Sequence, residues 1–293
     1  MADGDSTLPR RQLGRLLHRY RDEVGLSLAR AARLVDIGTT TLHRLEKGQA
    51  NKVRLGVVQQ LCEIYERSPE EIAAARYLAS QGAVKSWYVE YGELTGSDFD
   101  NYVVLESAAR RLISYHELVP GLLQTADYAR SVLRYHYLDR GETVIERLVE
   151  LRLQRQIRVK RKALPIELDV LVHQSALHRV VGSRRVMANQ LRHLADASTL
   201  PNVTLRVVPF SAGIPMGVLP GGFVILEFGC DRKGRLIEPS VVFVEGVLTA
   251  GIFLEKDTDV DRYRAISAGL HKAALDEAGS RTLLRRMAKE YLA

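Results

Sequence analysis

The segment GTTTLHRLEKG, residues 38–48, concentrates side chains that can bind a polar or charged partner. Three hydroxyls, an imidazole and two cations follow one another there: Thr39, Thr40, Thr41, His43, Arg44 and Lys47. If the segment is a helix with Leu42 and Leu45 inward, a step of about 100° per residue turns most of these side chains outward. Such groups can hydrogen-bond to base edges and phosphates. The pattern predicts a DNA-reading helix; the alternative is a solvated helix start that Thr39 caps.

The net charge of +7 is concentrated near the N-terminus. Between Arg10 and Arg54 the chain carries eleven Arg and Lys residues against four acids, which accounts for the whole excess. A surface that binds a polyanion has this distribution of charge. Lys52 and Arg54, in the loop after Gly48, are predicted phosphate contacts, with solvated loop charges as the alternative.

The composition limits the class of protein. A chain of 293 residues, 46% of them apolar, is long enough for two domains with separate cores. It has no apolar run near 18 residues, and its N-terminus is polar, so we expect a cytoplasmic protein without membrane contact. Cys62 and Cys230 lack metal-ligand spacing. We therefore expect two reduced cysteines, and neither a metal nor a cofactor.

Residues 1–80 have the apolar periodicity of five short helices. The first carries Leu13, Leu16, Leu17, Tyr20 and Val24 on one face. Ser27 is a candidate N-cap of the second helix, and SPEE, residues 68–71, is a capping box that opens the fifth. The pattern predicts a compact all-α bundle.

Residues 26–48, LSLARAARLVDIGTTTLHRLEKG, resemble the helix-turn-helix of the Xre family, which has a lambda-repressor-like fold. Asp36 stands where that family has a glycine with positive φ, which Asp tolerates better than most residues. Gly38 stands at the usual serine cap, which shifts the predicted cap to Thr39. The resemblance implies DNA binding and an ion pair between Arg21 and Glu46; two unrelated surface charges are the alternative.

Beyond residue 80 the chain predicts a linker and a second domain. The linker, residues 81–98, gathers Gly and Ser and contains the single tryptophan, Trp87. Residues 99–293 predict a mixed α/β (α+β) domain. Its helices are expected at 99–115, 126–137, 142–162, 183–199, 260–278 and 280–292, and its strands in IELDVLV, VTLRVVPF, GGFVILEF and SVVFVEG.

The second domain lacks the motifs of known catalytic sites. It has no nucleophile elbow, Walker loop or zinc spacing, and GIPMGVLPGG, residues 213–222, is predicted to be a surface loop. His173 and His178 are expected to be half-buried histidines with satisfied hydrogen bonds. We therefore predict no enzymatic activity.

The second domain also resembles the C-terminal domain of the WhiJ-like family of actinobacterial regulators. The carrying segments are residues 105–133, which contain VPGLLQTADYA, and residues 152–156, 201–213 and 223–228. Gln174 departs from the family's usual glutamate. The resemblance implies a transcriptional regulator whose C-terminal domain senses a signal or binds a small acidic partner protein. VPGLLQTADYA could instead be purely architectural, a fixed helix entry in which Thr125 caps.

Six cationic residues lie between Arg152 and Lys162 without an acid. Arg152, Arg155 and Arg158 repeat at i+3 along one helix face, which predicts a surface for an acidic partner or anionic effector. Compensation by acids of the same domain and contact with the DNA backbone are the alternatives.

Two functional hypotheses follow. The first is a homodimeric DNA-binding regulator with a sensing or partner-binding domain, acting on double-stranded DNA. The second is an antitoxin or immunity protein that neutralises a small partner and regulates its own expression. An enzyme steered by a DNA-binding module is a third, weaker alternative.

Overall fold

The computed structural model describes residues 8–50, 52–81, 97–230, 234, 236–246 and 251–293. The chain divides into two compact units, Met1–Ala108 and Ala109–Ala293. Most of the predicted linker, including Trp87, lies outside the described residues. Among the described helices, none is long and apolar enough to cross a membrane.

The first unit is helical. Its helices are α1 (Leu8–Glu23), α2 (Leu28–Leu34), α3 (Thr39–Glu46), α4 (Leu55–Ile64), α5 (Pro69–Gln81) and α6 (Ser97–Ala108). Leu13, Leu17, Leu42, Leu61 and Tyr65 are fully buried in its core. The predicted five-helix bundle in residues 1–80 is therefore confirmed, and α6 lies outside that range.

Local capping explains where two of these helices begin. The Ser27 hydroxyl accepts a hydrogen bond from Arg30 N at 3.2 Å at the start of α2. At α5, Ser68 N donates to Glu71 Oε2 at 2.9 Å, and Glu71 N donates to Ser68 Oγ at 3.3 Å. This reciprocal pair is the predicted capping box.

The second unit combines helices with one sheet. Its helices are α7 (Ala126–His136), α8 (Glu142–Lys160), α9 (Ser175–His178), α10 (Arg184–Ala197), α11 (Asp257–Ala273) and α12 (Glu277–Glu290). Its strands are β1 (Arg111–His116), β2 (Glu167–His173), β3 (Val203–Val208), β4 (Phe223–Glu227), β5 (Val241–Val244) and β6 (Ile252–Leu254). The predicted mixed α/β domain is confirmed.

The six strands lie in the order β3-β2-β1-β4-β5-β6. β1, β2 and β3 are parallel, because helices connect them in sequence, and the remaining pairs are antiparallel. One face packs on α11 through a core that includes Tyr115, Leu171, Ile225 and Leu270. The opposite face is buried too, since Leu112, Val170, Val172 and Leu205 are at most 3% exposed.

The outer edge of β3 is hydrogen-bonded to the connection between α11 and α12 and to the first turn of α12. Leu275 N donates to Val207 O at 2.9 Å, and Val207 N donates to Ser280 Oγ at 2.9 Å. Arg206 Nε donates to Leu275 O at 2.7 Å. This edge of the sheet is therefore covered by the chain itself.

One predicted helix was wrong over its second half. The helix predicted at 99–115 ends at Ala108, and Arg111–His116 forms β1, which pairs with β2 and β4. Hydrogen bonding on both sides of β1 outweighs the local helical spacing of its apolar residues. β6 was not predicted, because three residues are too short for a period.

Candidate nucleic-acid interface

Helix α3 separates a buried face from an exposed one. Leu42 is fully buried, and Leu45 and Glu46 are 6% and 8% exposed. Five candidate DNA contacts on the other side are exposed: Thr39, Thr40, Thr41, His43 and Lys47. The sixth, Arg44, is half-buried. The structure thus brings the candidate side chains of this helix to one surface, and their contact with DNA stays a prediction.

The loop after α3 adds cationic groups beside this surface. Arg44 Nη2 donates a long hydrogen bond, 3.4 Å, to Gln49 O, so its guanidinium lies next to the loop. Lys52 and Arg54 follow in that loop and are both exposed. The cations that could meet phosphates therefore come from adjoining segments.

The cap of α3 differs from the prediction. Gly38 is the N-cap, with the extended backbone of a cap (φ −66°, ψ 143°), and as a glycine it has no side chain that could bond to the first turn. Thr39 already has helical geometry and is the first residue of α3. The prediction that Thr39 caps was wrong, because a cap must precede the helical residues. The cap does not use the threonine hydroxyls.

The turn between α2 and α3 has the geometry that the sequence predicts. Asp36 has φ +53°, in the left-handed region. Ile37 N donates to Ala32 O at 3.0 Å, and Asp36 N donates to Arg33 O at 3.3 Å. This pairing closes the end of α2 and fixes the angle at which α3 leaves it.

A buried ion pair joins α1 to the end of α3. Arg21 Nε and Nη2 donate to the two carboxylate oxygens of Glu46 at 2.7 and 2.9 Å. Arg21 Nη1 donates to Leu26 O at 2.8 Å, and His18 Nδ1 lies 2.9 Å from Glu46 Oε2. The hydrogen bond to Glu46 raises the pKa of Arg21. The predicted pair is confirmed, and both partners are 8% exposed.

Two glycines let α1 lie directly on the end of α3. A Cβ on Gly14 would come within 2.7 Å of Leu45 O. Gly48 has φ +69°, as expected of a residue after a helix, and a Cβ there would come within 2.7 Å of Arg11 Cα. The role of Gly14 was missed, because a mid-helix glycine reveals no neighbour in the sequence.

In the second unit, glutamines hold the segment Val119–Thr125. Gln156 Nε2 donates to Gly121 O at 2.9 Å and to Gln124 O at 2.8 Å. Gln124 is 3% exposed, and its Nε2 donates to Val119 O at 2.7 Å. Two segments of the family resemblance, VPGLLQT and RLQRQ, are therefore in direct contact.

Gln190 of α10 hydrogen-bonds to the same segment from the other side. It is fully buried. Its Nε2 donates to Leu123 O at 2.7 Å, and its Oε1 accepts from Thr125 N at 2.7 Å. Thr125 caps α7 as predicted, accepting from Tyr128 N at 3.4 Å. These contacts favour the architectural interpretation of the motif.

The three arginines predicted to bind a partner make contacts inside their own unit. Arg152 Nη1 donates to Gln124 Oε1 at 2.7 Å, and Arg158 Nη2 donates to Ala109 O at 2.7 Å. Arg155 is only 6% exposed. The prediction of an open acceptor stripe does not match this placement, because the helical spacing alone does not show which side α8 turns to its domain.

The end of β2 carries the two histidines. His173 is half-buried, its Nδ1 lies 2.8 Å from Ser175 Oγ, and burial lowers its pKa. His178 is exposed, contrary to expectation, beside the Phe210 ring. Gln174 Oε1 accepts from Phe210 N at 2.9 Å. Within the described part of the chain, no three His, Cys, Asp or Glu residues are grouped to hold a metal.

Comparison with known proteins matches the chain to two families, and the second match includes most of α6. Residues 12–75 match a family described as "Helix-turn-helix domain". Residues 99–286 match a family described as "Domain of unknown function (DUF5753)". No curated protein and no solved structure matches the chain. The N-terminal helices are thus a helix-turn-helix domain, the module of DNA-binding regulators, and over most of its length the chain belongs to the DUF5753 family.

Proposed function

We propose that the protein is a homodimeric transcriptional regulator of the Xre type, related to the WhiJ-like family, which reads duplex DNA with α3. The observation that supports this proposal best is the surface of α3, where the predicted contacts are exposed, apart from half-buried Arg44, while Leu42, Leu45 and Glu46 anchor the helix. In helix-turn-helix proteins the start of the second helix meets base edges in the major groove.

The side chains divide into reading and positioning groups. The threonines at the start of α3 would meet bases through hydroxyl and methyl groups, and Arg44 would bridge O6 and N7 of a guanine. Lys52 and Arg54 would contact phosphates, which fixes the register of the helix without reading sequence.

The second unit would bind the regulator's signal. We propose that it takes a small ligand or a small acidic partner protein and that it has no catalytic role. The resemblance to WhiJ-like regulators supports this assignment. The buried contacts around Val119–Thr125 give that unit a fixed frame, on which a binding surface can be held.

The DNA-binding proposal is tested by selecting sites from random duplex DNA with the full chain and measuring affinity for the selected site. Arg44→Ala should lose roughly 1–3 kcal/mol and relax one base position, because a base contact is lost. Lys52→Ala should weaken binding to every sequence alike and lower the salt slope by about one.

Arg285→Ala, an exposed arginine of α12, is the matched control and should leave affinity unchanged. If Arg44→Ala loses equal affinity for the selected site and for random DNA, Arg44 does not read a base. If the full chain selects no sequence, the proposed function is wrong.

A further inference from the structure

Helix α8 turns a stripe of five residues to the outside of the second unit. Glu146, Glu150, Leu153, Ile157 and Lys160 follow one another at spacings of four, three, four and three residues, which places them on one helix face. Leu153 is 38% exposed and Ile157 is 64% exposed. Two large apolar side chains thus lie in the middle of this stripe, with charged residues at its ends.

The two ends of the stripe have opposite charge. Glu150 and Lys160 are exposed, and neither makes a hydrogen bond or an ion pair with any residue that the structure describes. They are ten residues apart on one helix, about 15 Å, so they cannot pair with each other. The stripe therefore has a negative end and a positive end with an apolar centre.

A shallow groove runs beside the stripe between α7 and α8. It has a volume of about 460 Å³. Ala126, Val149, Leu153 and Ile157 supply its apolar lining, and Arg130 and Glu146 pair with each other at its side. A neighbouring helix that lies along α8 could place apolar side chains in this groove.

We propose that the stripe is a homodimer interface, in which α8 of a second copy packs antiparallel on α8 about a two-fold axis near residue 155. In this arrangement Leu153 of one copy meets Ile157 of the other, and Glu150 meets Lys160. Every contact occurs twice, as a two-fold interface requires. A parallel pair would instead set Glu150 against Glu150 and Lys160 against Lys160, which is repulsive.

The charges at the two ends of the stripe favour a second copy of this chain as the partner that binds it. A single helix face that is negative at one end and positive at the other is complementary to itself when reversed. One helix pair buries less than the roughly 800 Å² per partner of a standard interface, so the dimer should dissociate on dilution. Two operator half-sites would then hold it together on DNA; this biological role rests on the proposed function.

The test measures the mass of the full chain in solution, without DNA, by sedimentation over a range of concentrations. The wild-type chain should be a dimer that dissociates on dilution. Ile157→Asp should be monomeric, because a carboxylate would replace the apolar centre. Leu219→Asp, at a comparably exposed apolar residue in the loop after β3, should remain dimeric.

Charge reversal tests the antiparallel register. Glu150→Lys and Lys160→Glu should each raise the dimer dissociation constant about tenfold, because like charges then face each other. The double variant should return to within about threefold of wild type. Circular dichroism should show the same helix content for all variants, since the substituted side chains are exposed.

A wild-type chain that stays monomeric at high concentration overturns the inference and leaves the face to a different protein. A dimer that survives Ile157→Asp, or charge reversals whose losses add in the double variant, overturns it as well. DNA selection by the same chain is scored separately. A chain that does not dimerise but still selects a DNA site would therefore refute this inference without refuting the proposal that α3 reads DNA.

Discussion

At the scale of single residues, Glu46 links stability to the proposed reading surface. Its backbone ends α3, and its carboxylate accepts both hydrogen bonds from Arg21. The pair is buried, so removing Glu46 leaves the Arg21 guanidinium in the interior with only the exposed Asp22, 3.1 Å from its Nη1, as an acidic partner. This carboxylate therefore helps to hold α3 against α1.

This arrangement predicts a non-additive response to substitution. Glu46→Ala should destabilise the first unit by about 3 kcal/mol, because it strands the Arg21 guanidinium. The double variant Arg21→Ala with Glu46→Ala should lose less than the single variant. Thermal or urea unfolding measures both values, and losses that simply add would contradict a coupled pair.

Residues whose partners are close in sequence could be predicted. The caps at Ser27, Ser68 and Thr125 follow from a side chain and a backbone group three residues apart. The pair of Arg21 with Glu46 was found only through a family resemblance. Gln190 carries no local signal, since its partners Leu123 and Thr125 are far away in sequence.

At the scale of elements, α1 and α3 touch backbone to backbone where Gly14 meets the end of α3. A side chain at that position would collide with a carbonyl that cannot move without shifting the helix. The close approach is what holds the end of the proposed reading helix.

Two glycine substitutions separate this packing from helix propensity. Gly14→Ala should destabilise by about 1–3 kcal/mol through overpacking and should weaken DNA binding. Gly56→Ala, in α4, meets nothing within 4 Å and should stabilise by about 0.5–1 kcal/mol. Unfolding curves measure the change in stability of each variant. Equal changes for the two variants would show that the contact of Gly14 is unimportant.

The segment Val119–Thr125 is an element without regular structure of its own beyond one short turn. Its backbone groups are bonded by Gln124, Gln156 and Gln190 instead of by a sheet or helix ladder. Buried backbone groups need such partners, because an unsatisfied group is costly.

Gln190→Leu should therefore destabilise the second unit by about 2–5 kcal/mol, because Leu123 O and Thr125 N both lose their partner. Asn189→Leu, the exposed neighbour on α10, is the control and should change stability little. Calorimetry measures the difference. A loss no larger than that of the control would contradict a structural role for the glutamine.

The strands show why sequence predicts some elements and misses others. β2 to β5 are β-branched runs bounded by turn residues, and all four were predicted. β1 has little β-branching and lies between β2 and β4, which are far from it in sequence. Its conformation is set by those two partners, so a local pattern could not reveal it.

At the scale of the whole molecule, two units with separate cores imply separable activities. A fragment of residues 1–80 contains the five-helix bundle and the candidate DNA contacts. A lone bundle engages one half-site, whereas a dimeric chain engages two about one helical turn apart.

The fragment should therefore bind the selected DNA more weakly than the full chain and with the same base preference. Fluorescence anisotropy on sites with one and two half-sites measures this difference. Equal affinity of fragment and full chain for the double site would exclude a contribution of the second unit to DNA binding.

The covered edge of β3 bears on the solubility of the chain. An open strand edge recruits strands from other molecules and starts aggregation. Here the groups of Val207 that face outward are already bonded to Leu275 and Ser280, so a foreign strand cannot pair with this residue. A chain that ends before Leu275 would leave the outer backbone groups of Val207 without these partners. The edge of the parallel strands β1 to β3 would then be open to pairing with strands of other molecules.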